Sequence, residues 1–159
     1  MSLKKDSLSW AIIVLVLVGA ATAAFYTIMP HTRPHTTLHL GDGIFSTDIV
    51  LETMQSGKHI AGAKPLESNQ AILAVYGGDS RWTVATKGAD DSFDLVWLDG
   101  KKRVVYIVKN VSDVNVTEYV PRRDARYVVE LPVGTVSSRA ISIGATASFD
   151  EDGVAEAQL

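Results

Sequence analysis

The chain contains no cysteine. That excludes disulfides, thiolate metal sites, a cysteine nucleophile and the lipid-modified cysteine of a bacterial lipoprotein. It leaves the redox compartment open, because a chain without thiols is tolerated in either. Positive charge is also short beyond the N-terminal region: from Pro30 onward there are 13 Lys and Arg against 17 Asp and Glu. A mildly acidic domain is a poor match to nucleic acid, whose phosphates demand clustered positive charge. Nucleophile-elbow, Walker and dinucleotide-fingerprint sequences are absent, as are internal repeats, low-complexity segments and any loop of calcium-binding spacing. No cofactor is implied. With no recognisable catalytic set, the sequence leans away from an enzyme.

What is present starts with Trp10 to Met29, 20 residues without a charge. As a helix rising ~1.5 Å per residue, that run spans ~30 Å, the hydrocarbon thickness of a bilayer. Lys4 and Lys5 precede it, and Trp10 and Tyr26 stand near its ends, where interfacial aromatics are favoured. The spacing predicts a single transmembrane helix over 10–29, with residues 1–9 cytoplasmic and the domain outside. The competing expectation is a signal peptide cleaved near Ala23, at Ala21-Thr22-Ala23. Both readings export the domain.

Residues 30–35 read as a tether. His31, His35 and His39 invite a metal reading, but Pro34 opposes the helix that would gather them. Extended, residues four apart lie ~13 Å from each other, too far to share an ion. No metal site is expected there.

Residues 36–150 read as one β-rich domain, and 151–159 as an acidic tail. The strongest local signal is Phe93–Val108. Apolar runs at Leu95–Leu98 and Val104–Val108 flank Asp99-Gly100-Lys101-Lys102, a hairpin signal because glycine accepts positive φ without steric cost. Further strands are expected at Thr36–Leu40, Ile44–Leu51, Ala71–Tyr76, Arg81–Thr86, Arg126–Leu131 and Thr146–Phe149. Glu52–Gly62 predicts a short, weak helix or an ordered loop, and Gly134–Ala140 a helical turn capped by Thr135.

Several blocks in this order resemble a known family. They are Leu51-Glu-Thr, Lys58–Gly62 ahead of Leu66, Ala71–Tyr76, Phe93–Asp99, Arg103–Val111, Tyr119-Val-Pro121 and Ala125–Thr135. From about Glu52 to Phe149 the chain resembles the prokaryotic family called domain of unknown function 192. The resemblance implies a small, compact, mainly β domain, barrel-like, with one or two short helices, often exported or membrane-tethered. It implies no reaction. Where the family usually carries Phe-Trp-Met-Lys-Asn, this chain has Val84–Gly88, keeping only Lys87, and Trp82 lies three positions early.

Two sets of residues are candidates for chemistry. Lys87 and Asp94 flank the marked segment; a desolvated lysine oriented by a carboxylate can act as acid or base. The alternative is an ion pair at the mouth of a barrel. Arg122, Arg123 and Arg126, with Tyr119 beside them and Lys87, form a candidate site for an anionic group, since guanidinium forks match carboxylates and phosphates. The alternative is a solvated loop, with Arg126 and Glu130 on one exposed strand face. Asp90, Asp91, Asp94 and Asp99 read as turn carboxylates rather than a cation site. The expected partners are the membrane, through 10–29, and an envelope protein or a small anionic ligand. An envelope hydrolase using Lys87 and Asp94 is the rival, and a structural subunit pairing through a strand edge is the third possibility.

Overall fold

A computed structural model describes residues 34–52, 65–86, 91–112 and 118–150. Among these, eight strands and one short helix form: β1 (His35–Leu40), β2 (Gly43–Glu52), β3 (Gln70–Ser80), β4 (Val84–Ala85), β5 (Phe93–Leu98), β6 (Val104–Val111), β7 (Glu118–Tyr119), β8 (Ala125–Pro132) and α1 (Thr135–Ser138). Six strands make one sheet in the order β1-β2-β3-β8-β5-β6, and β4 with β7 makes a separate two-stranded ribbon. Every pairing is antiparallel except β2 with β3, which run parallel. A parallel pair needs a crossover connection, here residues 53–69.

Side chains alternate across a strand, and the two apolar clusters sort by that alternation. Leu73, Val75, Val96, Leu98, Tyr127 and Val129 share one cluster, while Ala74, Tyr76, Leu95, Trp97 and Val128 belong to the other. The central strands β3, β8 and β5 are therefore buried on both faces, which is why Ala71–Tyr76 and Phe93–Leu98 read as nearly unbroken apolar runs. The first face is covered by Val136 of α1 and by Ile141, Ala147 and Phe149 beyond it. Val84 of β4 covers the second, with Trp82 and Tyr119 against it. Each fully buried Leu, Val or aromatic side chain contributes ~1.5–3 kcal/mol relative to exposure.

The β5–β6 hairpin forms where the sequence places it, but its turn works differently. The left-handed residue is Lys102, at φ 60, and Gly100 does not adopt positive φ. Lys102 donates its amide to Asp99 O at 2.8 Å, and Asp99 and Arg103 pair at 2.9 Å. This is a three-residue loop, a type I turn followed by one left-handed residue. A Cβ on Gly100 would stand 2.8 Å from Asp79 Oδ1, the end of an exposed side chain that can turn aside, so crowding does not demand glycine there either.

The expected barrel is an open sheet. β1 and β6 are its two edges and do not pair with each other. What joins them is the segment after α1. His39 of β1 exchanges backbone hydrogen bonds with Ser148 at 2.8 and 2.9 Å, and Val104 of β6 does so with Ala145 and Gly144 at 2.8 Å each. Thr146–Phe149, expected as a strand, makes isolated bridges to Arg103 and His39. Its pairing alternates between two different neighbours, so no ladder develops. Arg81–Thr86 likewise reduces to the two residues of β4.

No helix among the described residues is long and apolar enough to cross a membrane. The transmembrane segment 10–29, the N-terminus 1–9, the first part of the tether, the weak helix beyond Glu52 and the tail 151–159 lie outside the described residues.

Candidate functional site

Asp94 sits in β5 and is fully buried. Its Oδ1 accepts the Asn110 amide at 2.9 Å and its Oδ2 the Val136 amide, also at 2.9 Å. Asn110 has φ 52, so β6 turns out of register there and frees that amide. The second bond serves α1, whose N-cap is Gly134 in a left-handed conformation without a side-chain cap. Thr135 is therefore not the cap: the first turn takes its acceptor from a strand 42 residues earlier. Buried carboxylates are retained where hydrogen bonds satisfy them, and two backbone donors do so here. Lys87, its sequence partner, lies outside the described residues.

The arginine-rich stretch forms the bend between β7 and β8. Arg81 Nε donates to Pro121 O at 2.9 Å and fixes one end of this bend. Arg122, Arg123 and Asp124 are exposed, whereas Arg126 enters β8 half-buried, its guanidinium carbon 5.6 Å from the Tyr127 ring centre. Tyr119 is half-buried opposite Val84 and packs with the second cluster. Glu130, paired in the sequence reading with Arg126 on an exposed face, is buried.

These residues separate. Of the described anion-site candidates, Arg123 alone lines the cleft of about 300 Å³ that opens beside the hairpin, together with Asp99, Arg103 and Val105 of the hairpin, Asp124, and Ile143 of the closing segment. Arg103 was not anticipated. It is fixed by Asp99, whose Oδ2 accepts Arg103 Nε at 3.0 Å and Nη2 at 2.8 Å, while Oδ1 accepts the amides of Lys101 and Arg103 at 2.9 Å each. Burial pushes the Asp99 carboxyl up, but the amides of Arg103 and Lys101 and the Arg103 guanidinium outweigh it and hold it below its ordinary value. Asp and Arg four apart across a turn signal was the legible clue. The Arg103 side chain remains 55% exposed.

A second cleft of about 160 Å³ is lined by the buried Glu130 with Asp91, Ser92 and Phe93. The described acidic residues of that set do not converge: Asp91 is here, Asp94 is sealed and Asp99 braces the hairpin, while Asp90 lies outside the described residues. Among the described residues no group of three or more His, Asp or Glu side chains is placed to hold a metal ion. His35 pairs with Asp48 at 2.8 Å, and His39 bridges to Ser148. Trp82, displaced from the family position, stacks on Tyr76 with ring centres 4.6 Å apart; it donates Nε1 to Gly78 O and accepts from Trp97 Nε1.

A mainly β domain with this sheet and no assembled catalytic set among the described residues defines a class by fold alone. The family of uncharacterised proteins termed DUF192 (Uncharacterized ACR) matches residues 37–149, and the chain belongs to it. No curated protein matches. Two crystal structures are similar in fold. One, from Sinorhizobium meliloti 1021 and provisionally described as a transcription regulator, is 17% identical with a TM-score of 0.61, over 72% of this chain and 92% of its own. The other, a protein of unknown function from Novosphingobium aromaticivorans DSM 12444, is 14% identical with a TM-score of 0.62, over 72% of this chain and 83% of its own.

Proposed function

We propose that this domain is a binding module presented outside the cell membrane by residues 10–29, and that the cleft beside the hairpin is its ligand-binding surface. The uncharged 20-residue run supports the placement. One observation carries the binding reading: Arg103, held rigid by Asp99, and Arg123, from a bend 20 residues away, line the same small cleft. A guanidinium fixed before a ligand arrives, as that of Arg103 is, recognises an anionic group at low entropic cost. The enzyme reading draws less support, because Asp94 is sealed from solvent with both oxygens on backbone amides. An envelope protein that inserts an acidic side chain would use the same surface.

The test titrates the ¹⁵N-labelled full-length chain with acetate and with inorganic phosphate, following the amides of Val105, Arg123 and Gly144. Losing a charge-assisted contact costs ~1.5–3 kcal/mol, so Arg123→Ala should weaken the response about 10-fold or more. Arg122→Ala, outside the cleft, should leave it unchanged. Equal binding by wild type and Arg123→Ala would remove the cleft from consideration.

A further inference from the structure

The charges in the cleft go further than an anion site. Resting on the binding reading above, we infer that the cleft selects small zwitterions, molecules that carry a carboxylate and an ammonium group on a short apolar frame.

Four charged side chains line the cleft: Asp99, Arg103, Arg123 and Asp124. Asp99 is committed, since its two oxygens accept four hydrogen bonds from Lys101 and Arg103. It offsets part of the charge of Arg103, which leaves a weakened pull on a carboxylate beside that of Arg123. The remaining charges are Arg123 and Asp124, neighbours in the bend, both exposed, and with no ion pair to another described residue. A simple anion drawn to Arg123 is repelled by Asp124, and a simple cation drawn to Asp124 is repelled by Arg123. A ligand bearing both signs is attracted twice. This is the usual route by which charge arrangement gives selectivity rather than raw affinity.

The rest of the lining agrees. Val104, Val105 and Ile143 add apolar wall, and Ile143 is 59% exposed, so apolar area is left for a ligand methyl group to cover. The walls are held by the left-handed Lys102 and Gly144, and Gly144 donates to Val104 O at 2.8 Å. A volume of about 300 Å³ is at the bottom of the range for small-molecule sites and fits a molecule of amino-acid size.

A matched set of probes isolates the two charges. L-valine carries both, 3-methylbutanoate lacks the ammonium, and isobutylamine lacks the carboxylate. Each is titrated into the ¹⁵N-labelled full-length chain in a nonionic detergent, with the amides of Val105, Arg123, Asp124 and Gly144 as reporters. The expected result is a Kd for valine about 10-fold or more below either single-charge probe. Asp124→Asn should erase the advantage of valine over 3-methylbutanoate while the amides of the β3, β5 and β8 core keep their shifts. If 3-methylbutanoate binds as tightly as valine and Arg123→Ala abolishes both, the zwitterion inference is overturned and the anion-binding reading stands. Isobutylamine matching valine overturns both. So does the absence of a response to all three probes together with acetate and phosphate.

Discussion

Replacing Asp94 separates a structural carboxylate from a catalytic one. Its two oxygens each accept one backbone amide at 2.9 Å inside a fully buried site. Hydrogen bonds to a charged group are worth ~1.5–3 kcal/mol each, so removing both gives a gross loss of ~3–6 kcal/mol. Relief of a buried charge offsets part of that, leaving ~3–4 kcal/mol for Asp94→Ala. Asp94→Asn keeps one acceptor but turns an NH₂ toward the other amide, and should cost ~2 kcal/mol. In urea, with a slope of ~1.5 kcal/mol per molar, the midpoints should fall by ~2–2.7 M for Ala and ~1.3 M for Asn. Fluorescence of the buried Trp97 reports unfolding. Amide exchange should also accelerate in the Asn variant at one of Val136 and Asn110, whichever donor then faces the NH₂ and loses its acceptor. An Asp94→Ala protein within ~0.5 kcal/mol of wild type would refute the stapling role.

Three further outcomes follow from the turns. Asp99 is held below its ordinary value of 3.8, so its contribution to stability is fully present above that pH and is withdrawn as pH falls through its lower folded value. Acid titration of unfolding should therefore show a steeper limb below 3.8 in wild type than in Asp99→Asn; parallel limbs would contradict the assignment. Lys102 bears the left-handed strain and also donates Nζ to Phe149 O at 2.9 Å. Lys102→Ala and Lys102→Gly both lose that contact but only Ala keeps the strain, so Lys102→Ala should be ~1 kcal/mol less stable than Lys102→Gly, compared by urea midpoint. Gly41 has φ +57, and a Cβ there would lie 2.2 Å from Arg139 O. Gly41→Ala should cost ~2 kcal/mol or more, read as a drop in Tm; a change within ~0.5 kcal/mol would show that the 139–141 backbone can retreat.

The strands were legible where local chemistry decides them. Leu95–Leu98 and Val104–Val108 are β-branched and aromatic around a turn, and they pair as expected. Partner choice was not legible. Nothing in Ile44–Leu51 or Ala71–Tyr76 announces that they run parallel, because that depends on the connection between them and not on the strands' own residues. Glu130 shows the limit of alternation: it shares a strand face with Arg126, yet it sits in mid-sheet, flanked by Ile72 of β3 and Leu95 of β5, and is buried. Gly134-Thr135 carried a cap signal, but a buried carboxylate from a distant strand supplies the acceptor. The cleft was half visible: Arg123 stood out in a basic stretch, whereas Arg103 and Ile143 reach the same space from segments 20 residues away on either side of it.

The segment that joins the two sheet edges also governs how the fold is reached. Thr36 and Asp150, hydrogen-bonded at 3.2 Å, lie 114 residues apart. Closing so long a loop is slow, since the chain loses its entropy before the contacts return any stability. During synthesis every strand of the sheet emerges before residues 144–150 do. For that interval β1 and β6 present unpaired backbone to any neighbouring nascent chain. A frameshift or stop codon after α1 should therefore show itself as aggregation, in a product that retains every strand of the sheet.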